Sequence, residues 1–240
     1  MCELKKLGLI ILIIGFWAKS FAQFTPMNLP NFDRQEWHFG FTLGINNMNF
    51  RIDPIMPESF DRNLLIVEPL DAKGFNIGIV ANKRLGDFFD LRFVPTISFG
   101  DRSLRYTFIE NDTVMETYVK NVTSTYLDFP FTVKYKSKRL PNRLRNVRAY
   151  VFTGFRYSVD LSSQRKKDKN NQDIVLKLNP HDVFYELGVG FDFYMKYFKF
   201  GVEIKQSLGF LNVLYHENNK FTDNINGLKS TITWVTFTFE

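Results

Sequence analysis

The strongest constraint on the fold is an alternation of apolar and polar residues that recurs at a spacing of two. Residues 37–45 show it well, because small or polar residues separate five apolar ones: Trp37, Phe39, Phe41, Leu43 and Ile45. Successive side chains of a β-strand point to opposite faces, so strict alternation predicts strands with one apolar face. Helical spacing is nearly absent after residue 23. The sequence therefore predicts an all-β protein.

The alternation predicts eight strands in a single domain. Seven have a clear apolar face, at 37–45, 74–82, 89–100, 127–136, 148–161, 183–193 and 198–210. The eighth, 230–239, is rich in β-forming residues, but its facing stays open. Two apolar residues favour one face, Ile232 and Trp234, and three favour the other, Val235, Phe237 and Phe239.

The connections between the predicted strands alternate in length. Short ones cover 85–88, 137–147 and 195–197, and long polar ones cover 46–73, 101–124, 162–181 and 212–229. Short turns at one end and long loops at the other are typical of outer-membrane barrels. Strands of about ten residues also match the span of a tilted transmembrane strand. We therefore expect residues 37–240 to form an eight-stranded antiparallel transmembrane β-barrel in a bacterial outer membrane.

The first 22 residues resemble a secretory signal peptide. Lys5 and Lys6 precede an apolar run at 7–17, and Ser20-Phe21-Ala22 fits cleavage after a small residue. Residues 23–36 would then be a periplasmic lead-in. The single cysteine, Cys2, lies within the signal peptide, so we expect no disulfide and no thiol chemistry in the mature protein.

Alternation alone also fits a soluble, lipocalin-like barrel whose apolar face encloses a ligand. The aromatic bulk of the apolar face and the glycines of the polar face favour the membrane barrel, with its apolar face outside. The charges of the polar face would then form a network of ion pairs across a narrow lumen. Its predicted members are Asp90, Arg92, Asp128, Lys134, Arg156, Glu186, Asp192 and Glu203. Such a barrel has little room for more than side chains, so no open pore is expected.

The sequence gives no indication of catalysis, a metal or a cofactor. The three histidines, His38, His181 and His216, show no metal-ligand spacing, and no serine-hydrolase or zinc-protease motif occurs. His181 lies beside Asp182, but the motif context for a catalytic set is missing. The net charge is +6, of which the signal peptide holds +2, so the mature protein has a mild excess of about +4 that does not suggest nucleic acid.

A basic cluster surrounds the short connection at 137–147. It consists of Lys136, Lys138, Arg139, Arg143, Arg145 and Arg148. Two roles suit it, a docking surface for an acidic periplasmic partner or pairing with the phosphates of outer-membrane lipids. The second role is favoured because such charges suit anionic headgroups.

The predicted fourth strand carries a family motif. Leu127, Pro130, Lys134 and Tyr135 resemble the L-x-x-P-x-x-x-K-Y strand of outer-membrane barrels from Bacteroidota, and the stretches 150–157 and 186–192 resemble that family too. The mature chain is similar to the PorT (SprT) proteins, including the lead-in Asn31-Phe32-Asp33 and the final Thr236-Phe237-Thr238-Phe239-Glu240. That resemblance implies a non-enzymatic part in type IX secretion and contact with other components of that system. An outer-membrane enzyme of the acyltransferase or protease kind and a surface adhesin or receptor remain the alternatives.

Overall fold

The structure is a computed structural model, and it describes residues 27–54, 64–110, 114–140, 145–163, 177–215 and 225–240. A 3-10 turn at Phe32–Arg34 precedes twelve strands. They are β1 Trp37–Pro54, β2 Leu64–Leu70, β3 Ala72–Arg84, β4 Phe89–Phe93, β5 Thr96–Glu110, β6 Val114–Lys136, β7 Val147–Asp160, β8 Lys177–Leu178, β9 His181–Tyr194, β10 Lys199–Gly209, β11 Leu214–Tyr215 and β12 Ile225–Phe239. Within these ranges no helix is long and apolar enough to cross a bilayer. The predicted signal peptide lies outside the described residues.

The strands close into an antiparallel ring with eight positions. We call each position a wall, and it consists of one strand or of two consecutive strands. β2 and β3 make one wall, interrupted at Asp71, and β4 and β5 make another, interrupted at Val94 and Pro95. Neighbouring walls pair in chain order, and β12 pairs with β1 to close the ring. The small β8–β11 ribbon is a separate two-stranded sheet, and its Leu178 and Leu214 pack against apolar residues of the ring. The prediction of an eight-stranded antiparallel barrel is confirmed.

The strand register defines the shear of the barrel, which is the offset in residues after one circuit of the ring. A path through paired residues that starts at Trp37 returns to β1 at Asn47, ten residues further along. Its intermediate steps are Lys83, Leu91, Val133, Thr153, Leu187, Gln206 and Thr233. Closure with such a shear requires the strands to tilt, typically by about 35–45° from the barrel axis.

An apolar belt surrounds the half of the barrel nearest the short turns. On β1 the outward side chains there include Phe39, which is 66% exposed, and Ile45, which is 61% exposed. The inward side chains of the same stretch include Thr42 and Asn46, and both are buried. The apolar face of each strand therefore lies outside the ring, as predicted, and does not enclose a ligand cavity of the lipocalin kind.

The polarity of the two faces reverses beyond the belt, although β1 continues without a register shift as far as Asp53. Outward side chains become polar, as at Asn49 and Arg51, and inward ones become apolar, as at Met48 and Phe50. Inward apolar residues from this region form one cluster, which we call the outer cluster. It contains Phe50, Leu104, Tyr106, Phe108, Leu178, Val213, Leu214, Ile225 and Leu228.

This reversal explains why two predicted loops were wrong in extent. Much of 46–73 and of 101–124 is strand, because β1, β2, β5 and β6 continue far past the belt. The alternation persists there with the apolar residues on the opposite face, so an apolar face followed in one phase stops too early. In the loops predicted at 162–181 and 212–229, the described residues include the β8–β11 ribbon and the first part of β12.

The facing of the last strand is settled by the structure. Val235, Phe237 and Phe239 point outward from β12, whereas Ile232 and Trp234 point inward and are buried. The inward pair belongs to a second cluster inside the ring, the middle cluster, which consists of Met48, Tyr126, Phe184, Ile232 and Trp234. Both faces of β12 are therefore apolar, which is why its alternation was ambiguous.

Candidate functional site

The lumen contains every residue of the predicted charge network, and all eight side chains are buried. Lys134 Nζ lies 2.8 Å from Asp192 Oδ2. Arg92 pairs with Glu203, and its second terminal nitrogen lies 3.1 Å from Glu240 Oε1. Opposite charges thus meet across the barrel from different walls, as isolated buried charges would be costly.

Arg156 occupies the centre of this network. Its guanidinium contacts two aromatic rings, 4.1 Å from the centroid of Phe184 and 4.8 Å from that of Trp234. Two carboxylates flank it, with Asp128 at 3.5 Å and Glu186 at 3.4 Å. This arrangement places two cation–π contacts and two ion pairs in the cross-section of the barrel.

The sequence prediction omitted several members of the network. Lys199 Nζ lies 2.7 Å from Glu240 Oε2, and Arg102 Nη2 lies 3.0 Å from Asp160 Oδ2. Lys136, assigned from sequence to the basic cluster, instead points inward and lies 2.6 Å from Asp90 Oδ1. Strand parity could have identified Arg102 and Lys136, because both share the inward phase of their strands.

Glycines make room for bulky side chains on the inner wall. Gly190 faces the ring of Tyr150, and a Cβ at Gly190 would lie 2.5 Å from the Tyr150 Cζ atom. That separation is far below van der Waals contact, so a larger residue would displace the ring. The Tyr150 hydroxyl in turn donates a hydrogen bond to Glu203 Oε1 at 2.7 Å. The Lys134 ammonium lies 3.3 Å from the centroid of the Tyr150 ring.

The lead-in closes the short-turn end of the lumen. We call the described residues 27–36 the strap. Phe32 stacks on His38 with ring centroids 4.3 Å apart, and the Phe32 carbonyl lies 2.7 Å from His38 Nε2. The Lys199 ammonium lies 5.0 Å from the Phe32 ring centroid. An aromatic side chain from the strap therefore covers the charged layer of the lumen.

Asp33 pins the strap to the barrel. Its Oδ1 accepts hydrogen bonds from Arg148 Nη1 at 3.0 Å and from the Tyr194 hydroxyl at 2.7 Å, and its Oδ2 accepts one from Arg139 Nε at 3.0 Å. Burial alone would raise the pKa of the Asp33 carboxyl. The Tyr194 hydrogen bond and the charges of Arg148 and Arg139 outweigh burial, so the pKa is lowered.

The basic cluster is thus divided among different environments. Arg139 and Arg148 hold the strap, and Lys136 faces the lumen. Lys138 is exposed and Arg145 is partly buried, whereas Arg143 lies outside the described residues. The docking and lipid roles of the cluster stay predictions, and Arg139 and Arg148 bind a carboxylate of the chain itself. Sequence alone did not reveal this, because nothing in it marks Asp33 as their counter-ion.

The opposite end of the lumen is filled by apolar side chains. The middle cluster packs against Arg156 of the charge network, and the outer cluster lies beyond the middle cluster. Between the two ends lies a cavity of about 30 Å³, space for water and not for a solute. It is lined by Thr42, Asn76, Arg92, Val94, Thr96, Pro130, Thr132, Phe152, Glu186, Glu203, Lys205, Thr236 and Thr238.

Two prolines, Pro95 and Pro130, interrupt the pairing between β4–β5 and β6 beside this cavity. We call this interruption the seam. The ladder between β4–β5 and β6 runs from the Phe93–Phe131 pair to the Thr96–Asp128 pair. In that register Pro130, which has no N–H, lies opposite Val94. The Thr96 hydroxyl donates to the Val94 carbonyl at 2.7 Å and replaces the missing donor.

The histidines are spread over separate places. His38 is buried beneath the strap. His181 is exposed on the outer surface, with its Nδ1 2.8 Å from the Tyr157 hydroxyl. Its neighbour Asp182 points the other way, into the lumen, so the two do not form a pair. His216 lies outside the described residues. Among the described residues, no group of three metal-ligating side chains occurs.

An eight-stranded ring with an outward apolar belt and a polar, ion-paired interior is an outer-membrane β-barrel. The sequence agrees with this class. The chain belongs to the outer membrane protein beta-barrel domain family, whose pattern matches residues 21–215. The protein is therefore located in the bacterial outer membrane, and short turns of such barrels face the periplasm.

Solved structures of outer-membrane barrels are similar to this chain only distantly. OprG from Pseudomonas aeruginosa is 12% identical, with a TM-score of 0.43, over 85% of this chain and 95% of OprG. Neisserial surface protein A is 10% identical, with a TM-score of 0.41, over 85% and 98%. Ail of Yersinia pestis, solved with the heparin analogue sucrose octasulfate, is 10% identical, with a TM-score of 0.37, over 85% and 99%. No curated protein sequence matches the chain.

Proposed function

We propose that this protein is a non-conducting, non-enzymatic outer-membrane barrel that assists protein export by the type IX secretion system. It acts through contacts with other components of that system, and it does not conduct the substrate. The observation that carries this proposal is the filled lumen. A barrel whose interior is occupied along its length can serve export only through its surfaces.

Three successive layers support a closed lumen. The strap covers the periplasmic mouth with Phe32, and the ion pairs around Arg156 occupy the middle. The outer cluster fills the extracellular end with buried apolar side chains. The cavity beside Arg92 and Glu203 has room only for water. Opening a path for a polypeptide would require breaking several buried ion pairs at once, which is costly.

The link to type IX export rests on the sequence resemblance to the PorT proteins. Two residues of the motif have defined environments that give it a physical reason. Pro130 lies at the interrupted seam beside the cavity, and Lys134 forms a buried ion pair with Asp192. Both contribute to the closed interior, in keeping with a barrel that acts by contact.

The test of the export role is deletion of the gene, followed by analysis of the secreted proteins that carry a C-terminal sorting domain. We expect these proteins to be lost from the medium and restored by the wild-type gene. Unchanged secretion would overturn the export role and leave the barrel assignment intact. In a separate measurement, the purified protein should give no stable single-channel conductance in planar bilayers.

The alternative functions predict different outcomes. If the protein were an outer-membrane enzyme that used histidine, substitution of His181 and His216 would abolish its effect on secretion; we expect no change. A surface adhesin or receptor would depend on its extracellular parts alone. Shortening the segment 164–176 while secretion stays normal would favour that class. This deletion leaves Leu178 of the outer cluster in place.

A further inference from the structure

The contacts of Asp33 define a built receptor for a carboxylate at the periplasmic mouth. We call Arg139, Arg148 and Tyr194 the carboxylate receptor. The side chains of both arginines are 8% exposed, and Tyr194 is 2% exposed. Three donors converge on the two oxygens of Asp33. Charge-assisted hydrogen bonds of this kind are stronger and more specific than neutral ones.

Arg139 recognises more than the carboxylate. Its two terminal nitrogens donate to the backbone carbonyls of Asn28 at 2.6 Å and of Leu29 at 2.9 Å, while its Nε binds Asp33. Its guanidinium also lies 3.6 Å from the ring centroid of Tyr194. One side chain therefore reads two consecutive peptide carbonyls and an acidic side chain four residues later.

The receptor is joined to an aromatic site. Phe32, directly before Asp33, stacks on His38 and contacts Tyr194 edge-on, with centroids 6.1 Å apart. The two sites together select an aromatic residue followed immediately by an acidic one. A polar frame completes the seat, since Asn28 N donates to Asn146 Oδ1 at 2.8 Å.

The strap binds this seat in an unfavourable conformation. Leu29 has a φ of 46°, in the left-handed region that residues with a Cβ rarely adopt. Outside this seat, the strap residues Pro30, Asn31, Arg34, Gln35 and Glu36 are exposed. A segment held by a few strong contacts, and strained between them, is suited to release.

From these contacts we infer that the strap is an exchangeable ligand, and that the carboxylate receptor is a docking site for a periplasmic partner. The partner presents a turn in which an aromatic residue is followed by an acidic one, as Phe32 is followed by Asp33 in the 3-10 turn of the strap. When that segment binds, Asp33 and Phe32 leave, and the periplasmic face of the barrel changes shape. This inference does not depend on the role in export.

The test uses the full-length barrel in detergent and a fluorescently labelled peptide with the sequence of residues 27–36. Binding is measured by anisotropy. The strap competes with the peptide, so the apparent affinity scales with the fraction of barrels whose strap is released. We expect saturable binding to the wild-type barrel, and binding at least about tenfold tighter to the Asp33→Asn barrel, because its own strap is weakened.

Controls separate this site from non-specific binding. The Glu36→Gln barrel should behave as wild type, because that exposed carboxylate has no role in the seat. A peptide carrying Asp33→Asn should bind at least about tenfold more weakly than the unchanged peptide. Arg139→Met should abolish binding to the barrel. Tyr194→Phe, which removes one hydroxyl and keeps the ring, should weaken it several-fold.

Two results would overturn the inference. If the peptide does not bind the Asp33→Asn barrel, or binds it equally well with Tyr194→Phe added, the receptor does not act in trans. If the peptide binds the Asp33→Asn barrel but not the wild type at any soluble concentration, the strap is a permanent part of the wall and does not exchange.

Discussion

Arg156 offers the sharpest test of the closed lumen, through the replacement Arg156→Met. Methionine keeps much of the apolar volume beside Phe184 and Trp234 but removes the charge. Asp128 then loses its cation and keeps only the hydroxyls of Ser98 and Ser158, each at 2.6 Å. Breaking a buried ion pair by removing one partner typically costs about 3–5 kcal/mol.

The structure places the expected loss at the lower end of that range. Glu186, the second carboxylate beside Arg156, still has Lys205 at 3.2 Å and the Ser207 hydroxyl at 2.9 Å. Only Asp128 is therefore left without a charged partner. We expect Arg156→Met to lower the free energy of unfolding by about 3 kcal/mol.

A double-mutant cycle tests the reason for this loss. In Arg156→Met combined with Asp128→Asn, no carboxylate is left unpaired. The double variant should therefore be more stable than Arg156→Met alone, with a coupling energy of about 2 kcal/mol. The measurement is reversible urea unfolding in lipid vesicles, followed by tryptophan fluorescence. Arg51→Met, on the exposed outer face of β1, is the matched control and should leave the unfolding midpoint unchanged.

Additivity would refute the reasoning. If the losses of the two single variants add to within about 0.5 kcal/mol in the double variant, then Arg156 and Asp128 do not interact in the folded barrel. The closed middle layer would then have to be explained by packing of the aromatic rings alone.

Three further outcomes are expected. Leu43→Arg should lower the free energy of unfolding in vesicles by about 2–4 kcal/mol, because it places a charge in hydrocarbon. Asn49→Arg, on the same face of the same strand, should lower it far less. Equal losses would contradict the position of the belt. Thr96→Val should lower stability by about 1–2 kcal/mol, because the Val94 carbonyl loses its donor; a neutral effect would show that the hydroxyl bond is not needed. Because the pKa of Asp33 is lowered on folding, its contribution should be constant above about pH 5 and be lost as pH falls below the ordinary value of 3.8. The measurement is the difference in free energy of unfolding between wild type and Asp33→Asn as a function of pH. A difference that vanished near neutral pH would contradict the role of Asp33 in holding the strap.

Strand facing was predictable wherever one face was apolar and the other polar. β7 and β9 show this well, because their period of two fixes both the strand and its orientation. On β12 the prediction stopped at Ile232 and Trp234. These residues point inward because they pack with Met48, Tyr126 and Phe184, all distant in sequence. No local pattern contains that information.

The strand extensions and the strap could not be derived from alternation alone, for two physical reasons. Beyond the belt, the surroundings of the barrel change from hydrocarbon to water, so outward side chains become polar, while inward ones become apolar because they pack together in the outer cluster. The strap depends on Asp33 meeting Arg139 and Arg148, which follow it by more than a hundred positions. The sequence shows where the charged residues are, but only the closed barrel brings Asp33 close to Arg139 and Arg148.

The reversal of polarity along β1 also sets how deeply the protein sits in the membrane. Ile45 is the last apolar side chain facing outward and Asn47 is the first polar one, a separation of about 7 Å along the strand. A shift of the barrel by one such step would either bring Asn47 into hydrocarbon or expose Ile45 to water. The border between Ile45 and Asn47 therefore fixes the depth of the barrel in the membrane. It holds the outer cluster above the lipid and the strap in the aqueous periplasm.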